Sequence, residues 1–381
     1  MSESRPKILF CMHMPPPVHG AAVIGQQVHD SLLINNTFEC KYVNIATARN
    51  LEDIGKIGIR KLIANLRKWR EIYRAVRSFY PDLIYITPNT KGGAFYRDFV
   101  TVQLLKLLHS NIVLHLHNKG VAQRQNHRLD NWLYRHFFCG LKVILLSEQL
   151  YSDVERYVTR DNVFVCPNGI ADICLGNNIS KHETELDKSS PIQLLFLSNM
   201  MAEKGVWTLL EALRIIKEKG VRFFCHFVGG WKDVTIQAFV NCTDAYGLTN
   251  SVAAHGAQYG EAKEKYWENT DMFVFPTLNE CFPLVLLEAM SHGKACISTR
   301  EASIPEIVLD GKTGLLIDKE DYVALAKAIE TLAEDRKLCQ KMGEAGRAKY
   351  EQEYTLPVFE RRFVQILNEI FSEINESAKL G

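Results

Sequence analysis

Two glutamates eight residues apart, Glu280 and Glu288, lie in the segment Pro276–Thr299, PTLNECFPLVLLEAMSHGKACIST. A strand-like run, Met-Phe-Val-Phe, leads into a loop that holds Glu280. A helix is expected to start near Pro283, a residue suited to a first helical turn. The free N–H groups of Cys281, Phe282 and Leu284 would then point at a ligand beside Glu280. Eight residues make just over two helical turns, so Glu288 projects from nearly the same face as the helix start. Two carboxylates so placed can hold the hydroxyl pairs of a sugar and of a ribose. An isolated pair at this spacing is more often a core helix with a surface glutamate at each end. The strands on both sides and the Phe282-Pro283 turn set this pair apart.

A second stretch, FLSNMMAEKGVWTLLEAL from Phe196, puts Lys204-Gly205 at the start of an amphipathic helix. A lysine there adds its charge to the positive end of the helix dipole, a favourable place for a phosphate. Further candidates end strands. Phe227-Val228-Gly229-Gly230 exposes backbone, and His255-Gly256-Ala257-Gln258 opens a loop. His117, followed by Asn118, closes a strand at its ligand-binding end. His115 is expected on the opposite face and reads as structural. The loop Pro15–Gly20 brings His19, Gly20 and Ala21 to a helix start. It is not a G-x-G-x-x-G fingerprint, so a dinucleotide oxidoreductase gains no support.

These residues need strands and helices to carry them, and the chain alternates both, twice. Strands are expected at Lys7–His13, Cys40–Ile45, Asp82–Thr87, Asn111–His117, Lys142–Ser147 and Asn162–Cys166. Helices are expected between them at Ala21–Leu33, Ile59–Phe79, Gly93–Leu108 and Arg128–Phe138. The second series has strands at Ile192–Leu197, Arg222–Val228, Val252–His255, Met272–Phe275, Ala295–Ser298 and Gly314–Ile317. Its helices are expected at Gly205–Lys219, Ala262–Asn269, Leu284–Ser291 and Tyr322–Glu334, with a last helix at Pro357–Ser377. Short apolar strands alternating with helices give parallel sheets covered on both faces. The expected division is residues 1–170, a polar linker 171–190, residues 191–355, and a C-terminal helix 356–381 that crosses back to the first domain. Two doubly wound sheets in tandem would face a central cleft.

With 381 residues, 47% apolar and 23% charged, the chain has material for two cores and is not disordered. Its ten cysteines form no C-x-x-C pair, so neither a disulfide framework nor a structural zinc site is suggested. Absence of a signal-like or bilayer-spanning apolar run leads to the expectation of a cytoplasmic protein; the basic stretch Ile59–Phe79 adds the expectation that it is peripheral on the inner membrane face. The net charge of +1 hides a split. Up to Ile170 there are 22 Lys and Arg against 13 acids; the rest holds 23 against 31. A basic half of this kind meets an anionic surface or ligand. In Ile59–Phe79, Arg60, Lys61, Arg67, Lys68, Arg70, Arg74 and Arg77 face a single acid, Glu71. Leu62, Leu66, Trp69, Ile72, Tyr73 and Val76 recur at helical spacing. That is the composition of an interfacial helix on anionic lipid, and also of a surface helix packing its stripe on a sheet.

The motifs together resemble the family-4 (group 1) retaining glycosyltransferases of the GT-B fold, which pairs two Rossmann-like domains. The family pattern is Pro-Ser/Thr, Glu-Gly-Phe-Gly/Pro and a second Glu. Pro276-Thr277, Glu280, Phe282-Pro283 and Glu288 stand in register with it, with Cys281 in place of Gly. The resemblance implies that Glu280 sits against the donor sugar and Glu288 binds the nucleotide ribose. It makes Lys204-Gly205 part of the donor diphosphate clamp, whose family arginine is Asn199 here, with Ser198 in place of Gly. It gives the Gly256-Ala257-Gln258 loop the nucleotide base and sets Gly229 near the donor. His117 comes beside the bond being broken, and His19-Gly20-Ala21 near donor phosphate and acceptor. The implied activity is retaining, front-face transfer of a sugar from a nucleotide diphosphate to a glycan or lipid-linked glycan. No cofactor, metal or nucleic acid is expected, and no D-x-D occurs. A sugar-nucleotide epimerase, a phosphorylase or a catalytically silent nucleotide-sugar binder are the alternatives.

Overall fold

The structure, a computed structural model, describes residues 5–16, 20–46, 59–109, 111–172 and 190–380, with side chains for all of these except 59–62 and 377–380. Most of the linker 171–190 therefore lies outside the described residues. The chain divides into two compact units, Met1–Gly169 with Leu356–Gly381, and Ile170–Thr355.

The first unit holds a six-stranded sheet of β1 (Lys7–Met12), β2 (Glu39–Asn44), β3 (Leu83–Ile86), β4 (Ile112–His115), β5 (Lys142–Leu145) and β6 (Val163–Val165). Every pairing is parallel and the order is β2-β1-β3-β4-β5-β6. The C-terminal helix Leu356–Leu380 packs on this sheet. Phe363 meets Tyr85 edge-on at 5.3 Å and Phe10 at 6.4 Å, and Phe371 meets Phe38 at 5.8 Å. The stretch expected as one helix at Ala21–Leu33 is two, Gly20–Asp30 and Leu32–Thr37. The break falls at Ser31, whose hydroxyl accepts from Ile34 N–H and so caps the second helix.

The second unit holds β7 (Ile192–Leu197), β8 (Phe223–Val228), β9 (Val252–Ala254), β10 (Met272–Phe275), β11 (Ala295–Thr299) and β12 (Gly314–Ile317). Its order is β12-β11-β10-β7-β8-β9, again all parallel. All twelve expected strands are present, with ends that move by one or two residues. Two long helices are not expected from the sequence, Ile236–Ala245 and Arg336–Glu353, nor are three of four residues each, Val121–Arg124, Tyr151–Val154 and Ile304–Ile307. Helix Arg336–Glu353 packs closely because a side chain at Gly343 would stand 2.0 Å from the Gly293 carbonyl oxygen.

Candidate functional site

In the second unit the chain runs outward from β7 to β8 and β9 on one side, and from β10 to β11 and β12 on the other. The carboxyl ends of β7 and β10 are therefore the point where the strand order reverses, the position at which open α/β sheets take their ligands. The loops leaving these two strands are joined. Leu278 N–H and the Thr277 hydroxyl both donate to the Glu203 carbonyl, at 2.8 and 3.2 Å. Asn279 Nδ2 donates to Glu203 Oε2 at 3.1 Å. Lys204 Nζ reaches Glu280 Oε1 at 2.7 Å and the Asn279 carbonyl at 3.2 Å. The next residue, Gly205, holds φ +84, and a Cβ there would stand 2.0 Å from the Pro276 carbonyl oxygen. Only glycine lets the backbones come this close.

Lys204 ends a short 3-10 turn, Ala202–Lys204, directly before the helix Val206–Glu218. Asp233 accepts from Ala202 N–H at 3.3 Å and steadies that turn. The side chains of Lys204 and Glu280 are only 17% and 20% exposed. An ammonium so placed can exchange one oxygen anion for another as a ligand enters.

The helix after Glu280 is Leu284–Ser291, with Pro283 at its cap position and not inside the first turn. Pro283 offers no side-chain hydrogen bond to the first turn. Phe282 is buried against Tyr354, with ring centroids 6.2 Å apart, and the Cys281 carbonyl accepts from Ser303 N–H at 3.3 Å. The loop is thus anchored just past its thiol.

Glu288 has a partner that sequence reasoning missed. Lys263 Nζ, on the helix Glu261–Glu268, stands 2.9 Å from Glu288 Oε2. The adjacent Glu264 accepts from His292 Nε2 at 2.8 Å. Burial, with Lys294 and Lys263 nearby, pushes His292 down to about 4, so at neutral pH this contact is a hydrogen bond from an uncharged ring and not an ion pair. Burial also raises the Glu264 carboxyl. Lys263 carries no motif; only its place in a helix beside the Glu288 helix reveals it.

Past β7, β8 and β9 the backbones lie side by side. A Cβ on Gly229 would stand 1.7 Å from the Ser198 carbonyl oxygen, and one on Gly230 would stand 3.3 Å from Asn199 Oδ1. Gly229 N–H donates to the Gly256 carbonyl at 2.8 Å, and Gly256 takes φ +67. Ala257 Cβ lies 3.9 Å from the Cβ position of Gly230, and Gln258 Nε2 donates to the His255 carbonyl at 2.9 Å. Asn199, Gly229, Gly256, Ala257 and Gln258 are therefore brought together on one rim of the sheet.

In the first unit His117 lies two residues beyond the end of β4. The two histidines do not point to opposite faces: their ring centroids are 4.2 Å apart. Residues two apart on an extended chain share a face, and this one-face geometry persists past the strand. His115 is fully buried, with Nδ1 2.7 Å from the Tyr85 hydroxyl. Burial, then the neighbouring His117, holds His115 well below the usual histidine range. Gly20 opens the helix Gly20–Asp30 and Ala21 follows it; His19 lies outside the described residues. That helix sits hard against the loop after β1, because a Cβ on Gly25 would stand 2.0 Å from the His13 carbonyl oxygen.

A model of the family described as glycosyl transferases group 1 matches residues 178–349. The chain is similar to CapM of Staphylococcus aureus, a capsular polysaccharide biosynthesis glycosyltransferase. Identity is 23% over 244 residues, covering 62% of this chain and 63% of CapM. It spans about half or less of the length of other curated relatives it matches. Among solved structures, sucrose-phosphate synthase from Thermosynechococcus elongatus superposes with a TM-score of 0.74, over 97% of this chain and all of that one, at 19% identity. Anabaena HepE, solved with UDP-glucose, gives 0.70 over 95% and 99% of the two chains at 17% identity. The two parallel sheets with their covering helices are the GT-B architecture.

Proposed function

We propose that this chain, whose residues 178–349 match the group 1 glycosyl transferase family, moves a hexose from a nucleotide diphosphate sugar to a hydroxyl acceptor. The observation that carries the reading is the Lys204–Glu280 contact across the strand-order reversal, with the helix Val206–Glu218 starting beside it. The site joins one cation to one carboxylate where a helix begins, which suits a diphosphate next to a polyhydroxylated ring. The solved complex of Anabaena HepE with UDP-glucose supports a donor of this class.

In this reading the diphosphate draws Lys204 away from Glu280, and the freed carboxylate accepts hydrogen bonds from the donor sugar. Glu288 holds the ribose hydroxyls. The bond from the anomeric carbon to the phosphate oxygen breaks while a bond to the acceptor oxygen forms on the same face. The acceptor proton passes to the departing phosphate. Negative charge grows on that phosphate as the bond lengthens, and Lys204 stabilises it where water is largely excluded. Asn199 contributes a hydrogen bond without charge. The family resemblance gives His117 a place beside the bond being broken, and His19, Gly20 and Ala21 one near the donor phosphate and acceptor. No step is assigned to a metal ion. The acceptor is a glycan or lipid-linked glycan; surface polysaccharide assembly is what the name of the CapM relative suggests. The seven basic residues of Ile59–Phe79 suit contact with an anionic membrane surface.

The missing arginine at Asn199 favours one second reading, a nucleotide-sugar binder without turnover. Donor consumption assayed with and without acceptors separates the two. Transfer or slow donor hydrolysis supports the transferase; donor binding with neither supports the silent binder; isomerised donor would point to an epimerase.

A further inference from the structure

The helix Ile59–Phe79 turns a mixed face to solvent, and two neighbouring helices extend it. Ile72, Ala75 and Val76 are buried, and Trp69 is half-buried, its Nε1 donating to Thr101 at 2.9 Å. The sequence stripe is thus divided: Ile72 and Val76 pack inward, while Leu66 and Tyr73 point out. Leu62 lies outside the described side chains. The outward positions are Ile63, Leu66, Arg67, Arg70, Tyr73, Arg74 and Arg77. They recur every three or four residues and so run down one line of the helix for roughly 20 Å.

The helix Gly92–Leu108 lies alongside through Trp69 and Thr101, and Arg128–Phe138 lies beyond it. The last two are tied by the Tyr96 hydroxyl on Asp130 at 2.8 Å and by Phe99 against Trp132 at 6.4 Å. These helices add exposed Val100, Leu129 and Trp132, the last two 61% and 54% open to solvent. Every acid on the three helices is neutralised: Glu71 by Lys68, Asp98 by Arg97, Asp130 by Arg124. Arg67, Arg70 and Arg74 form no ion pair among the described residues, and Arg77 lies 5.8 Å over the Tyr73 ring. Arg128 and Arg135 are exposed on the third helix.

We infer that this three-helix face is a docking surface for an anionic lipid bilayer. The arginines take the headgroups, while Ile63, Leu66, Leu129 and Trp132 enter the upper acyl layer. Exposed arginines gain from phosphate, and exposed aliphatic side chains gain only from an apolar phase; a bilayer interface supplies both at once. A nucleic acid would leave the aliphatic groups in water. A second copy related by a two-fold axis would set this cationic face against itself. The inference rests on and deepens the membrane contact proposed above, from one helix to three, with named side chains that insert. It does not depend on which reaction the second unit catalyses.

The test is co-sedimentation of the full chain, without nucleotide, with phosphatidylcholine vesicles containing or lacking 30% phosphatidylglycerol. Wild type should bind the anionic vesicles alone and bind less as salt rises. Changing Arg67, Arg70, Arg74 and Arg77 to Ser should lower partitioning roughly several hundredfold, at about fivefold per basic side chain. Leu129→Ser with Trp132→Ser should also lower it; Leu129→Ser alone, which leaves the Trp132 ring contacts in place, should lower it in part with the melting temperature unchanged. Brominated acyl chains should quench wild-type fluorescence more than that of Trp132→Phe. Equal binding to both vesicle types, or loss only with the arginine variant and no bromine quenching, would overturn insertion at this face. A concentration-dependent dimer abolished by the Leu129→Ser, Trp132→Ser pair would assign the face to a second copy instead. Donor binding, assayed separately, is expected to be the same in all these variants, so failure here leaves the transferase reading untouched.

Discussion

Gly205→Ala should damage the donor site far more than Gly220→Ala, although the two glycines have nearly the same backbone. Their φ values are +84 and +80, and they flank the same helix, Val206–Glu218. Placing alanine in the left-handed region costs about 1–2 kcal/mol at either position. At Gly220 nothing lies within 4 Å of the added Cβ, so that cost is the whole effect. At Gly205 the Cβ would stand 2.0 Å from the Pro276 carbonyl oxygen, and real contacts do not fall below 3.0 Å. The two loops must separate by about 1 Å, and no rotamer change can relieve a contact between a Cβ and backbone. Overpacking of this kind costs about 1–3 kcal/mol more. For a unit of this size 1 kcal/mol corresponds to about 2–4 °C, so Gly205→Ala should melt roughly 2–12 °C below Gly220→Ala. Because Lys204 and Pro276–Glu280 move apart, it should also lose the thermal shift given by a nucleotide sugar, which Gly220→Ala keeps. Equal melting temperatures with equal donor affinity would refute the argument that this close approach sets the Lys204–Glu280 geometry.

Glu288→Ala should chiefly weaken nucleotide binding, and Glu280→Ala should cut turnover more than donor affinity; wild-type values in both would remove them from the site. Lys263→Met should weaken donor binding severalfold in the wild type and add little in a Glu288→Ala background, because groups in direct contact are not additive. Full additivity, measured by calorimetric titration, would show that Lys263 does not act through Glu288. Transfer activity should survive EDTA; loss on chelation with recovery on added Mg²⁺ or Mn²⁺ would contradict the metal-free reading. His292 titrates at about 4 in the folded chain against an ordinary 6.5. Between those values the unfolded chain binds the extra proton, so stability falls as pH falls, by about 3 kcal/mol at the acid end. His292→Asn should flatten that part of a urea-midpoint profile, and an unchanged slope would assign the acid sensitivity elsewhere.

The strands were legible because the parallel sheets are covered on both faces and leave short, uninterrupted apolar runs such as Ile192–Leu197. Helix Arg336–Glu353 was not, because its buried face is made partly of Gly343 and Gly346, which carry no hydrophobic signal yet allow the close packing. Ser31 was read through as helix when its hydroxyl caps a new one. Of the site, the sequence supplied what backbone motifs encode: Lys204-Gly205 at a helix start and the two glutamates in register. It did not supply contacts made across elements. Lys263 meets Glu288 only because one helix lies beside another. The shared face of His115 and His117, by contrast, was legible, since residues two apart on a strand point the same way; the expectation of opposite faces misapplied that alternation. The outward face of Ile59–Phe79 was beyond the reach of the sequence, since the same periodicity fits a buried stripe and an exposed one.

In the proposed function the strand-order reversal of the second unit holds a nucleotide diphosphate sugar through Lys204 and Glu288. The most direct test is a thermal-shift panel of UDP-, GDP- and ADP-sugars against wild type, Lys204→Ala and Glu288→Ala. A ligand that binds only the folded chain raises its melting temperature, by about 2.7 kcal/mol of added stability at a hundredfold excess over Kd. One nucleotide class should stabilise the wild type, and each variant should lose most of that shift. No shift with any donor, or a shift that both variants keep in full, would contradict this donor site.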